Sequence, residues 1–314
     1  MIIHIDDRAR PCPGVERAIS TTEDILRRGQ VLFAAGELIH NEREVSRLCS
    51  MGLEIVSVDT LLQAATDSPM MGHSFLVRTH GESQAILDAV HCLQMLVVDT
   101  TCPIVKHSQN LVREHVQSGW HIIIAGKKNH PEILGLMDLI SGKGQVLSSK
   151  EAARKAELDT RSLLMAQTTV SPELFADIRK ILLGRCQSLK ILDTTCHFIR
   201  NRQKDIRKFA SNHDLILLAG GLRSSNCQLL CDTARKVNPR SYHIQAPSNI
   251  DPSWLKDVQS VGITGGASTP RRQLEEIRYF LENYFSENNP KGLKNRKGGK
   301  RLWWTLKNQN NKKR

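Results

Sequence analysis

Val97-Val98-Asp99-Thr100-Thr101-Cys102 and Ile191-Leu192-Asp193-Thr194-Thr195-Cys196 are two copies of one pattern, an apolar strand running into Asp-Thr-Thr-Cys. Each of these cysteines stands 24 residues before a glycine, Gly126 or Gly220, and 28 before a polar loop residue, His130 or Ser224. A third copy begins at Cys12, with Gly36 and His40 at the same two separations. The period, about 90 residues, is too long for a solenoid repeat, so each copy is a small domain. Three equivalent domains about a pseudo-threefold axis bring three thiols and three polar loops to one centre.

Each copy reads as strand, cysteine turn, helix, strand, polar loop, helix. The patterns predict helices over 16–28, 106–118 and 202–211, and strands over 31–35, 121–125 and 215–219. A further strand closes each copy, over 75–79, 163–166 and 261–264, and runs into a small polar turn. Near-continuous apolar strands belong to parallel sheets covered on both faces. Ligands bind at the carboxyl ends of such strands. The expected fold is therefore α/β: three pseudo-threefold-related small domains with mostly parallel sheets around a central cluster site. The boundaries read as 1–98 (Cys12, His40, His80), 99–192 (Cys102, His130, Glu132, Thr168) and 193–286 (Cys196, Ser224, Ser268). Residues 287–314 form a basic low-complexity tail whose composition predicts disorder.

The 314 residues carry a formal net charge of +12, but 288–314 hold ten Lys or Arg and no acid. Removing that tail leaves only +2, so the body gives no reason to expect a nucleic-acid surface. The tail, interrupted by Trp303-Trp304, reads first as a solvated segment. Docking on an acidic protein, nucleic acid or a membrane surface is the lesser reading. No apolar run approaches the roughly 20 residues of a membrane span, and Met1–Asp7 resembles no secretory signal. A cytoplasmic location follows as the expectation. Thiols stay reduced there, so eight cysteines point to metal or catalysis.

Cys49, Cys92, Cys186 and Cys231 read as small buried hydrophobes, while Cys227 adjoins a polar loop. Cys12, Cys102 and Cys196 share one repeat position, which chance does not produce. No closely paired C-x-x-C suggests structural zinc. Three thiolates from distant segments instead suit an iron–sulfur cluster with one open iron, a Lewis acid for a substrate hydroxyl. His40, His130, Ser224, Ser225 and Asn226 fall at helix starts, where N–H groups favour anions. With His80, Thr168 and Ser268 they form a donor ring suited to a phosphate or diphosphate. Glu132 is the carboxylate in these loops; near an anion and an electron-rich cluster it would stay protonated and serve as a general acid.

Cys12-Pro13-Gly14-Val15, His40-Asn41, His80-Gly81, Thr101-Cys102-Pro103, His130-Pro131-Glu132, Gln167-Thr168-Thr169, Cys196 with Asn201-Arg202, Ser224-Ser225-Asn226 and Gly266-Ala267-Ser268 run in order over about residues 1–285. Together they resemble the IspH/LytB family, the 4-hydroxy-3-methylbut-2-enyl diphosphate reductases. The resemblance implies one 4Fe–4S cluster on Cys12, Cys102 and Cys196, with an open apical iron. It implies diphosphate contacts from His40, His80, His130, Ser224, Ser225, Asn226 and Ser268. Thr168 would hydrogen-bond near the substrate hydroxyl and Glu132 would feed protons to it. The implied reaction is the last step of the methylerythritol phosphate route to isoprenoids. It removes the allylic hydroxyl as water with two electrons and two protons, giving isopentenyl and dimethylallyl diphosphate.

No G-x-G-x-x-G follows a strand, so electrons would come from a separate carrier such as ferredoxin or flavodoxin, which the basic tail would dock under its lesser reading. Some residues depart from the family pattern: Pro11 and Pro13 flank Cys12, Ile199-Arg200 stands where many relatives carry Thr-Thr, and Gly126-Lys127-Lys128-Asn129 lacks an additional histidine seen in some members. Two rivals are a quinolinate-synthase-like 4Fe–4S lyase and a non-catalytic iron–sulfur sensor or RNA-binding protein.

Overall fold

Runs of consecutive apolar residues become parallel strands here because helices cover both faces of each sheet. The computed structural model describes residues 1–64, 70–140, 142, 144–186 and 188–287; the expectation of a disordered tail lies outside them. The chain begins β1 (Ile2–Ile5), α1 (Pro13–Arg27), β2 (Leu32–Ala34), α2 (Glu42–Ser50), β3 (Leu53–Ile55), α3 (Val58–Ala64), β4 (Ser74–Val77), α4 (Gln84–Cys92) and β5 (Leu96–Asp99). It continues through α5 (Pro103–Gln117), β6 (His121–Ala125), α6 (Pro131–Asp138), β7 (Gly144–Leu147), α7 (Lys150–Arg154), β8 (Ser162–Ala166), α8 (Pro172–Leu183) and β9 (Lys190–Ile191). The last third holds α9 (His197–Ala210), β10 (Leu215–Ala219), α10 (Ser225–Arg235), β11 (Ser241–Ile244), β12 (Ser260–Gly265) and α11 (Arg271–Glu287).

Three four-stranded parallel sheets result, in the orders β3-β2-β4-β5, β7-β6-β8-β9 and β1-β12-β10-β11. The helix after each cysteine covers the sheet that follows it. Ala18 and Leu26 of α1 pack on Leu32, Ala34 and Leu76. Val112 of α5 packs on Ile122 and Ile124, and Ile206 and Ala210 of α9 pack on Ile216 and Leu218. Each such fully buried aliphatic side chain stabilises the fold by about 1.5–3 kcal/mol relative to exposure.

Two features differ from the sequence expectation. Residues 2–5 do not join the sheet of the first repeat: β1 pairs with β12, so the strand before Cys12 completes the third sheet. The same rule holds for β5 and β9, which end the sheets preceding Cys102 and Cys196. Each cysteine therefore sits at a junction, in the turn that follows the edge strand of one sheet and at the start of the helix that covers the next. Secondly, the three helices begin directly after their cysteines rather than several residues later, with each cysteine as N-cap. Pro13 and Pro103 explain two of these early starts, since proline's fixed φ suits the first helical position and its missing N–H costs nothing there.

A buried polar network locks β1 in place. Asp6 accepts from Arg202 Nη2 at 2.9 Å and from Thr264 Oγ1 at 2.8 Å. Both charged side chains are almost fully buried. Asp6→Ala leaves the guanidinium without its counter-charge, and a loss of about 3–5 kcal/mol is expected in urea unfolding of the reduced protein. A loss below about 1 kcal/mol would contradict this placement of β1.

Candidate active site

The local chemistry of Asp-Thr-Thr-Cys is the same in both copies. Asp99 Oδ1 accepts from Thr101 N at 2.9 Å, and Asp193 Oδ1 accepts from Thr195 N at 3.0 Å. Thr100 Oγ1 and Thr194 Oγ1 donate to the neighbouring strand's Val77 and Ala166 carbonyls. The aspartate shapes the turn and the first threonine ties the edge strand to its neighbour. The cysteine, two residues after that threonine, is thereby delivered to the end of the sheet.

The three cysteines are anchored alike. Cys12 N donates to Ala267 O at 3.0 Å, Cys102 N to Thr79 O at 3.0 Å, and Cys196 N to Thr168 O at 2.9 Å. Gly14 packs so tightly on the second cysteine that a Cβ there would lie 3.1 Å from Cys102 Sγ. Burial pushes the Cys12 and Cys196 thiols up, while first-turn N–H groups, of Val15 and Gly14 and of Ile199 and Phe198, pull them back toward the thiolate. Like charge adds to the rise, from Cys102 and Cys196 at Cys12 and from Cys102 and Glu132 at Cys196.

One cavity of about 120 Å³ collects Cys12, Cys102, Cys196, His40, His80, His130, Glu132, Thr168, Ser224, Ser225, Asn226 and Ser268. Every residue singled out from the sequence as a site residue lines it. Apolar walls come from Val15, Val105 and Ile199, each three residues after its cysteine. Their repeat position was visible in the sequence but was not read as functional.

Three imidazoles stand against one another. The His40 and His80 rings stack at 4.3 Å between centroids, and His130 meets them edge-on at 5.1 and 5.9 Å. His130 Nδ1 accepts from Glu132 N at 3.2 Å, which leaves Nε2 as the donor of the neutral ring. His40 Nε2, His80 Nδ1 and both amide atoms of Asn226 are buried without a partner. Unpaired buried polar atoms cost about 1–3 kcal/mol each, so a set of them around one cavity marks the place of a polar ligand. Burial is the main cause that lowers all three histidines, His80 well below its ordinary value and His130 to about 4, with neighbouring imidazoles and the cations Arg78, Arg223 and Lys127 adding to it. The rings are thus neutral donors at pH 7.

Glu132 is the carboxyl lining the cavity among the described residues. It lies at the start of α6, fully buried. Thr168 N donates to its Oε1 at 2.8 Å and Thr168 Oγ1 to its Oε2 at 2.6 Å. Burial outweighs both bonds and raises its pKa to about 7. Near neutral pH this carboxyl beside the thiols is therefore poised between its acid and carboxylate forms.

Several other residues resolve on structural grounds. Arg200 turns outward and pairs with Asp193 at 2.8 Å. Asn41 caps α2 and donates to Ser268 O at 2.7 Å, so it frames the site without facing it. Cys227 is buried with its thiol pushed up to about 11, and a Cβ on Gly266 would meet its sulfur at 2.3 Å. Cys49 and Cys92, expected to be buried, are exposed. Sequence reasoning also missed the mouth of the cavity, where Arg78, Lys127 and Arg223 surround the histidines. Single scattered cations carry no repeat signal.

Three thiols on one cavity are a donor set that fits a thiolate-held iron–sulfur cluster. No group of three or more His, Cys, Asp or Glu among the described residues could hold a single metal ion. Three thiols at helix N-termini nonetheless line one cavity, and positive helix ends favour an anionic thiolate-bound group.

Similarity to known proteins runs along nearly the whole chain. A family described as LytB protein matches residues 3–282. The 4-hydroxy-3-methylbut-2-enyl diphosphate reductase of Bacteroides thetaiotaomicron is 33% identical over 287 residues, covering 89% of this chain and 97% of that protein. The Aquifex aeolicus protein of the same name is 30% identical, over 89% of this chain and 96% of that one. A solved structure of (E)-4-hydroxy-3-methyl-but-2-enyl diphosphate reductase, the terminal enzyme of the non-mevalonate pathway, superposes with a TM-score of 0.66 at 30% identity, covering 90% of this chain and all of its own. The Plasmodium falciparum reductase structure has a TM-score of 0.80 at 21% identity, over 98% and 99% of the two chains, a likeness of fold.

The neutral histidines predict a pH dependence of stability. Unfolded, an imidazole takes up its proton near pH 6.5; His130 in the fold does so only near pH 4. Its contribution is present above pH 6.5 and is lost as pH falls through that window. Differential scanning calorimetry should show the melting temperature falling from pH 6.5 to 4, less steeply in His130→Asn, and less steeply in the wild type when millimolar inorganic diphosphate is present. Identical slopes in all three samples would contradict the neutral trio.

Proposed function

Since this chain belongs to the LytB protein family, we propose that it is a 4-hydroxy-3-methylbut-2-enyl diphosphate reductase, an oxidoreductase of the non-mevalonate route to isoprenoids. The observation that carries this reading is the meeting, in one cavity, of three thiols, an imidazole trio and a single buried carboxyl. The named relatives do not favour the quinolinate-synthase-like and sensor readings. No helix among the described residues is long and apolar enough to cross a membrane. A cytoplasmic location fits the reduced state these thiols need.

Cys12, Cys102 and Cys196 would hold one 4Fe–4S cluster. When bound, such a cluster supplies electrons and an iron free of protein ligands, a Lewis acid beside the substrate hydroxyl. The chain's own residues do the remaining work. His40, His80, His130, Ser224, Ser225, Asn226 and Ser268 would bind the diphosphate, and the unpartnered atoms of His40, His80 and Asn226 gain partners when it arrives. Bound anion raises the imidazole pKa values, so binding draws in protons. Val15, Val105 and Ile199 exclude water from the allyl carbons. Fixing the diphosphate holds the reacting carbon at the thiol end, an orientation worth several kcal/mol of barrier.

Protonated Glu132 supplies the proton for departure of the hydroxyl. On protonation the 2.6 Å contact between Thr168 Oγ1 and Glu132 Oε2 reverses: Oε2–H then donates to Oγ1, and the threonine hydroxyl is freed to pass its own proton into the cavity. Thr168 N holds the other carboxyl oxygen still. Electrons come from a redox partner, proposed as a ferredoxin- or flavodoxin-type carrier.

Turnover should follow the acid form of Glu132. With a pKa of about 7, the rate is expected to be flat below pH 6 and to fall about tenfold per pH unit above pH 8. Glu132→Gln should lower kcat by about 100-fold or more, abolish that alkaline limb and leave diphosphate binding within about threefold, because it removes the proton and not the donors. An unchanged pH profile in the variant would assign the acid elsewhere.

A further inference from the structure

A reductase without a nicotinamide or flavin motif must take electrons at its surface, and the structure holds a second recess built for that. It lies outside the substrate cavity and shares no lining residue with it, whereas the mouth at Arg78, Lys127 and Arg223 shares His40, His80, His130 and Ser225. Its walls flank two of the three site cysteines in the chain: Arg8 and Arg10 precede Cys12, while His197 and Phe198 follow Cys196 directly. Both cysteines are only partly buried.

The recess, about 500 Å³, is cationic. Arg8, Arg10, Arg202 and Lys204 face two carboxylates, Asp7 and Asp205. Arg8 pairs with Asp205 and Arg202 with Asp6, which leaves exposed Arg10 and Lys204, against one exposed Asp7, with no ion pair among the described residues. Arg202 also keeps Nη1 buried and unpartnered. Of the other three cations on α9, Arg200 and Arg207 pair with Asp193 and Glu173, and Lys208 adds one with no ion pair among the described residues. Phe198, half-buried beside Cys196, supplies an apolar contact inside this positive rim. A cationic rim around a small apolar spot suits a transient redox encounter, in which opposite charge steers the partner and little area is buried.

We propose that this recess between the Cys12 and Cys196 loops is the docking surface for an acidic one-electron carrier protein. The inference rests on the reductase reading above. Each encounter oxidises one carrier and passes one electron in beside Cys12 and Cys196. Two encounters supply the electron pair that, with two protons, breaks the allylic C–O bond and releases the oxygen as water. Because the substrate uses the other opening, carrier and diphosphate bind at the same time.

The test is charge reversal in the full-length, cluster-loaded protein, comparing R10E/K204E with wild type and with K155E on the exposed face of the second domain. Three readouts are taken: substrate consumption driven by photoreduced flavodoxin at low salt, consumption driven by the methyl viologen radical, and flavodoxin affinity by titration calorimetry. R10E/K204E should lose at least tenfold in flavodoxin-driven kcat/KM and in flavodoxin affinity, with a weaker salt dependence. Viologen-driven turnover should stay within twofold, and K155E should match wild type. Unchanged flavodoxin affinity and rate in R10E/K204E, or an equal loss in K155E, would overturn the docking surface. A wild-type protein that consumes no substrate with viologen would overturn the reductase reading instead, and the calorimetry would still decide the surface.

Discussion

Three backbone hydrogen bonds, Cys12 to Ala267, Cys102 to Thr79 and Cys196 to Thr168, hold the molecule's centre together. Each joins a cysteine N–H in the turn after an edge strand to a carbonyl two residues past the end of the neighbouring strand. The bond to Ala267 exists only because β1 leaves the first repeat and completes the third sheet. With that closure, the three thiols stand in equivalent settings around one cavity. Without it, Cys12 would have no anchor and the pseudo-threefold arrangement would be open on one side. The Asp6–Arg202–Thr264 network is buried at this closing joint, where one lost partner leaves a bare charge.

The site keeps its polar groups in states that water would not choose. Burial leaves three clustered imidazoles neutral and raises one carboxyl until it keeps a large share of its protons at neutral pH. The cost is carried by the surrounding sheets, whose central strands are almost wholly buried. Neutral histidines cluster without mutual repulsion, yet they can become cations when an anion enters. Glu132 follows the opposite logic: a carboxylate would repel an incoming diphosphate, whereas the acid form tolerates it and carries a proton. Desolvation thus sets the binding end and the proton-donating end of one small cavity.

Much of this was legible in the chain because the repeat is written in side chains with chemistry. Cysteine, glycine and a polar loop residue recur at fixed separations, so three domains and their convergence follow, and all the predicted site residues line one cavity. The central strands were readable for the same reason as their burial: they are unbroken apolar runs. The outer strands β3, β7 and β11 escaped, since Leu53–Ile55, Gly144–Leu147 and Ser241–Ile244 are short and of mixed polarity. The exchange of β1 into the third sheet is a pairing across more than 250 residues, with no local signature in Ile2–Ile5. Helix starts were read late because a cysteine is a weak N-cap signal, although Pro13 and Pro103 marked the first helical positions. The cations at the two openings were missed because their meaning lies in what stands near them, which only the fold supplies.

The most direct measurement is the Mössbauer spectrum of the anaerobically prepared protein loaded with iron-57, recorded with and without the diphosphate substrate. A four-iron cluster in which one iron differs from the other three, and in which only that iron changes when substrate is added, is the expected result. A two-iron signal, four equivalent irons, or a spectrum that survives replacement of any one of Cys12, Cys102 or Cys196 by serine would contradict the convergence of three thiols on a single cluster.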